Sequence, residues 1–121
     1  METMNQETIF DSKEALDTFT NNDKILHSVL GGFIERTKMQ IDSFPDLEKN
    51  EDWESAKHYI HMIKGGALTL SGVELGNAAI RLETAYKKID RDEMKPAYSY
   101  LLECFERFKK EADKFLICYN Y

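Results

Sequence analysis

The amino-acid sequence predicts an all-α protein, an up-down antiparallel four-helix bundle with a short N-terminal capping helix. Three observations carry this expectation. Apolar residues recur at spacings of three and four along nearly the whole chain, no alternating run is long enough for a strand, and only two prolines and six glycines interrupt the pattern. The 121 residues, 42% hydrophobic and 31% charged, suit one compact domain over 1–121, with its bundle core from about residue 23 to residue 119.

The elements follow in order. Ile9, Phe10, Ala15, Leu16 and Phe19 make the apolar side of the short capping helix. From Asp23 to Phe44 a wider face runs through Leu26, Val29, Leu30, Phe33, Ile34, Ile41 and Phe44, and Pro45 with the polar stretch Asp46 to Asn50 is expected to end it. That face is broader than a bundle seam requires, so Leu26, Leu30 and Ile34 are divided between core and docking surface. Gly31 and Gly32 interrupt it at about 1 kcal/mol each relative to alanine. Close approach of another backbone would account for them.

Trp53, Ala56, Ile60, Ile63, Ala67 and Leu70 mark the next helix, with Asn50 or Asp52 as its N-cap. Ser71-Gly72-Val73-Glu74 reads as a capping box opening a third long helix, whose stripe is Leu75, Ala79, Leu82, Tyr86 and Ile89. The last helix takes Asp90 or Asp92 as cap and tolerates Pro96 near its first turn. It keeps one stripe through Tyr98, Leu101, Phe105, Phe108, Ala112, Phe115 and Tyr119. Short connections at Ser71 and Asp90 make the long helices antiparallel neighbours.

Charge and composition narrow the function. With 22 acidic against 16 basic side chains the formal charge is -6, which disfavours a nucleic-acid partner. No apolar run approaches the ~20 residues of a membrane span, and the polar start Met1 to Gln6 lacks the pattern of an export signal. A cytoplasmic location is therefore expected. Cys104 and Cys118 share one helix and would lie about 21 Å apart at ~1.5 Å per residue, too far to pair. They are read as reduced thiols, with no CxxC spacing to support a metal.

The candidate site is a histidine face. On a wheel of about 100° per residue, His61 points roughly 130° from the core stripe of Ile60 and Ile63. Lys57, His58, Lys64, Gly65 and Leu68 share its patch. A histidine with cations on both sides and no carboxylate beside it suits a ring that stays neutral and nucleophilic, and the same lysines favour an attached phosphoryl group. Gly65 clears space beside the ring, since Gly65-Gly66 would otherwise waste about 2 kcal/mol of helix propensity. His58 is read as a neighbour and partner contact, because no acid or cysteine on this face completes a metal-ligand set with it and His61. His27 carries no further signal. No phosphate-binding loop, kinase lysine-aspartate set or nucleophile elbow is present.

The run His61-Met62-Ile63-Lys64-Gly65-Gly66-Ala67, continuing through Gly72, Leu75, Leu82 and Glu83, resembles the signature of histidine-containing phosphotransfer (HPt) domains. The resemblance implies a helical bundle with His61 phosphorylated at Nε2, Lys64 as the cation beside the phosphoryl group and Gly65 as the clearance position. It also implies a phosphocarrier rather than an enzyme, without a cofactor, whose partners are response-regulator receiver domains and a (hybrid) histidine kinase. Lys57, His58, Leu68, Leu26 and Leu30 are the expected partner contacts, and a monomer is expected. Ser71 stands where the family's junction glycine usually falls, with Gly72 one later. The expected function is a free-standing intermediate of a multistep two-component phosphorelay, since the chain ends at Tyr121 with no ATP-binding region. The alternatives are a phosphoacceptor domain cut from a larger histidine kinase and a non-catalytic helical scaffold.

Overall fold

The structure is a computed structural model and describes residues 7–119. The segment Met1 to Gln6, read above for an export signal, and the chain end at Tyr121 lie outside the described residues. Among those described there are five α-helices and no strand: α1 (Ser12–Thr18), α2 (Asp23–Lys49), α3 (Trp53–Thr69), α4 (Val73–Lys88) and α5 (Arg91–Cys118).

Four of the helices begin at side chains that satisfy a first-turn N–H. Asp11, Asn22, Asp52 and Asp90 accept from the amides of Glu14, Ile25, Ser55 and Glu93. Asp52 and Asp90 thus hold the cap positions that Asn50 and Asp92 could have taken. Side-chain contacts set the helix directions. Phe33 lies against Gly66 while Gln40 reaches Met62, so α2 and α3 run in opposite senses. Lys64 with Glu83 and Leu68 with Gly76 do the same for α3 and α4, as Arg81 with Glu93 and Glu74 with Arg107 do for α4 and α5. The core between them is closed by Leu30, Phe33, Ile60, Ile63, Leu82, Leu101 and Phe108. Phe10, just before α1, covers one end by an edge contact to Phe108, with ring centroids 5.5 Å apart.

Several expectations need correction. α2 does not stop at Pro45 but continues to Lys49. Proline removes the N–H that would bond the Ile41 carbonyl. The Tyr98 hydroxyl of α5 donates to that same carbonyl at 3.2 Å and so replaces the hydrogen bond that the proline cannot make. The capping box at Ser71 is also absent. Ser71 takes a left-handed conformation, φ 60°, and closes α3: its N–H bonds the Leu68 carbonyl at 3.2 Å and the Gly72 N–H bonds Ala67 at 2.8 Å. A residue closing one helix in that conformation cannot also adopt the extended N-cap geometry of the next, so Gly72 is the N-cap and makes no side-chain bond. Glu74 turns instead to Arg107, at 2.9 Å. Gly72 is required by packing, since a Cβ there would lie 2.6 Å from the Phe108 ring.

Gly31 and Gly32 have nothing within 4 Å of a built Cβ, so no backbone approaches them. Ile89 leaves the α4 stripe as an exposed left-handed C-cap, and Val29 is exposed on the flank of α2. Leu26 and Leu30 are fully buried and cannot touch a partner, which corrects their docking role. Cys104 is buried and Cys118 exposed, both as free thiols. Among the described residues no helix is long and apolar enough to cross a membrane.

Candidate functional site

Burial of Ala56, Ile60, Ile63 and Ala67 fixes the rotation of α3 and sends His61 outward, with 68% of its side chain exposed. One turn on, Gly65 has no atom within 4 Å of a built Cβ, so the space beside the imidazole is open. Gly66 exists for a different reason. A Cβ there would stand 2.5 Å from the Phe33 ring, so this glycine lets α2 and α3 close on each other. Two adjacent glycines that look alike in sequence therefore face solvent and core respectively.

The expected absence of a carboxylate beside His61 is overturned by α4. Because α3 and α4 run in opposite directions, Glu83 comes level with both His61 and Lys64. Its side chain is only 8% exposed, Lys64 Nζ donates to its Oε1 at 3.0 Å, and His61 Nδ1 lies 3.5 Å from its Oε2. Lys64 is accordingly no freely solvated cation, being 24% exposed and already engaged. Burial pushes the Glu83 carboxyl up, the largest single influence. The hydrogen bond from Lys64, the charges of Lys64 and Lys87 and the hydrogen bond from His61 together outweigh it and hold the group below the usual carboxylate range.

An ionised carboxylate facing Nδ1 favours the tautomer with its proton on that nitrogen and leaves the Nε2 lone pair available. At 3.5 Å the contact is longer than a strong hydrogen bond, so Glu83 acts chiefly as an oriented charge. Lys64 has three donors, and those not spent on Glu83 can serve oxygens arriving next to His61. The arrangement therefore supplies a nucleophilic nitrogen, a counter-charge behind it, a cation beside it and an open approach.

The remaining candidates are placed as follows. Lys57, His58 and Leu68 are exposed on α3, with the His58 ring beside Tyr59 at a centroid distance of 6.1 Å. His27 sits elsewhere, its Nε2 3.2 Å from the Leu116 carbonyl. Among the described residues no three His, Cys, Asp or Glu side chains are grouped to hold a metal ion. Sequence reasoning missed Glu83 as a member of the site. Its signal was the Leu82-Glu83 pair, whose position against His61 only the α3 and α4 pairing reveals.

A family model described as Hpt domain matches residues 28–113, a span that holds most of α2, all of α3 and α4, and α5 to its last turn. No curated protein and no solved structure gives a match.

Proposed function

The chain belongs to the Hpt domain family, and from that premise we propose that it is a histidine phosphotransfer intermediate of a multistep phosphorelay, with His61 as phosphoacceptor. Histidine phosphotransfer in phosphorelays is what the family implies; the residue-level roles are this proposal. The scaffold it takes is one domain over 1–121, an up-down four-helix bundle with α1 as a cap, acting as a cytoplasmic monomer.

A receiver domain presents a phosphoryl group on an aspartate. The Nε2 lone pair of His61 attacks phosphorus in line, the bond from phosphorus to the aspartate oxygen breaks, and the carboxylate leaves with the electron pair. The Nδ1 proton stays in place, so the ring acquires positive charge that the Glu83 carboxylate offsets. Lys64 meets the phosphoryl oxygens, and positioning with charge does most of the work. The second transfer is the reverse, to an aspartate of another receiver. Any metal ion belongs to the receiver, and this chain needs no cofactor of its own. Lys57, His58 and Leu68 contribute to docking, and the exposed Ile25 and Val29 of α2 take the place first given to Leu26 and Leu30.

The observation that carries the reading is the outward imidazole backed at Nδ1 by a buried, ionised Glu83 and flanked by the open space at Gly65. A passive scaffold has no use for that combination. Incubation with a phosphorylated receiver should leave acid-labile, base-stable label on the chain. His61→Gln should abolish the label while helical content and thermal midpoint stay nearly unchanged, because an exposed side chain contributes little to packing. Loss of label in His58→Gln with retention in His61→Gln would refute the assignment.

A further inference from the structure

The face of the bundle opposite His61 carries a cavity that phosphotransfer does not use. The helices pack in a ring, α2 against α3 and α5, and α4 against the same two. The face between α2 and α5 therefore lies across the bundle from the face between α3 and α4, which holds His61 and Glu83. Near the turn that joins α4 to α5, an open cavity of about 420 Å³ lies between the last turns of α2 and the first turns of α5. That volume falls in the range of about 300–1,000 Å³ usual for small-molecule sites. Pro45, Met94 and Tyr98 form its apolar wall. The Tyr98 ring is pinned, because its hydroxyl is bound to the Ile41 carbonyl, and Met94 is only 2% exposed. Proline is costly inside a helix, and here its rigid ring is part of this wall.

The charged groups around that wall say what it can hold. Lys49 and Lys95 line the cavity, are exposed, and pair with no other described residue. Arg91 is set in place in advance: its guanidinium lies over the Trp53 ring at 5.2 Å and its Nη2 donates to Glu51 at 2.7 Å. Its remaining N–H groups are left for a second acceptor. Glu48, the acidic group of the lining, is held by the Tyr86 hydroxyl at 2.7 Å. Three cations thus stand against the carboxylates of Glu48 and Glu51, and the site keeps one positive charge in a chain whose formal charge is -6. One surplus charge above an apolar wall matches a monoanion with an apolar body better than a phosphate dianion. We propose that this cavity binds a small organic monocarboxylate. Its body packs on Pro45, Met94 and Tyr98, and its carboxylate is met by Lys49, Lys95 and Arg91. Bound there, it ties the end of α2 to the start of α5 and stabilises the fold by mass action.

The test titrates the full chain with benzoate, 3-phenylpropionate and octanoate, read by ¹³C-methyl NMR. At least one of the three should shift the Met94 methyl resonance saturably and raise the thermal midpoint, while Met39, beside Tyr59 on the α3 side of α2, stays unmoved. Lys49→Ala and Lys95→Ala are each expected to raise the Kd of that probe roughly three- to tenfold. Lys110→Ala, further along α5 and also exposed, should leave it unchanged. Benzamide, which keeps the ring of benzoate without its charge, should bind more weakly than benzoate. Phenyl phosphate should bind no more tightly than benzoate. No saturable Met94 shift with any of the three acids, or a wild-type Kd in the Lys49→Ala and Lys95→Ala double variant, overturns the site. Benzamide binding as well as benzoate overturns the carboxylate, and tighter binding of phenyl phosphate overturns the monoanion. A Met94 signal that responds to chain concentration alone overturns the proposal in favour of a second copy.

Discussion

Replacing Glu83 by glutamine tests the chemistry at its least visible point. The substitution keeps the size of the side chain and removes its charge. At the observed 3.5 Å, unit charges on the ring and the carboxylate interact by about 1.2 kcal/mol at the dielectric constant of water and about 4.7 kcal/mol at an effective constant of about 20. The ring is 68% exposed, which places the interaction near the lower limit, about 1–2 kcal/mol, or a five- to thirtyfold effect. On the proposed mechanism the carboxylate stabilises the positive charge that the ring gains on phosphorylation, so phosphoryl uptake should slow by that factor. The ring should also lose its preference for a proton on Nδ1, because a carboxamide can present its NH₂ there and select the opposite tautomer. Lys64 complicates the reading, since Glu83→Gln frees it to reach phosphoryl oxygens and would mask part of the loss. A double-mutant cycle with Lys64→Ala separates the two contributions. Long-range ¹H–¹⁵N correlation of the His61 ring gives the tautomer, and rapid-quench transfer from a phosphorylated receiver gives the rate. An unchanged tautomer and an unchanged rate, within a folded variant and across the cycle, would refute the role of Glu83.

Further outcomes follow from the same contacts. Lys64→Ala should slow uptake and also lower the thermal midpoint, since it strips the buried Glu83 of its closest partner, and differential scanning calorimetry would register the loss. Glu83 has a depressed folded-state pKa, so its stabilising contribution is present above the ordinary value of 4.5 and is lost as pH falls through the lower folded value. Urea unfolding of wild type and Glu83→Gln should therefore converge only in the acid range below pH 4.5. Gly65→Ala should gain up to ~1 kcal/mol of stability and Gly65→Gln should fold but transfer slowly, whereas Gly66→Ala should lose about 1–3 kcal/mol by crowding Phe33. Tyr98→Phe should cost about 1–3 kcal/mol in chemical denaturation, because it leaves the Ile41 carbonyl beneath Pro45 unmatched.

The helices were legible because their signals are local. Caps such as Asp52 and Asp90 act on amides three residues away, and stripes such as Leu101 to Phe115 repeat within one element. The misreadings share the opposite property. Proline at position 45 breaks a helix by every local rule, and the hydroxyl that rescues it comes from α5. Ser71 and Glu74 match a capping box, yet the left-handed turn that closes α3 claims Ser71 and Arg107 claims Glu74. Gly31 and Gly32 look like a close approach because the sequence prices a glycine without showing what stands opposite it, and here nothing does.

The site divides along the same line. His61, Lys64 and Gly65 lie on one helix face, so their spacing alone brings them together. Glu83 belongs to another helix, and without it the face looks like a solvated patch of cations around a lone ring. With it, Lys64 is engaged by a buried carboxylate, and Nδ1 of His61 faces that carboxylate at 3.5 Å. That changes what the lysine does. A solvated lysine would meet an approaching anion with its full charge, whereas one already paired at 3.0 Å with Glu83 presents a weaker net field, so a more highly charged group is needed to draw the same attraction from it. On the proposed reading a phosphoryl group, with several charged oxygens, gains more from the lysine than an isolated carboxylate does. On the proposed reading it is this pair, and not Lys64 alone, that sets the attraction an incoming phosphoryl group meets.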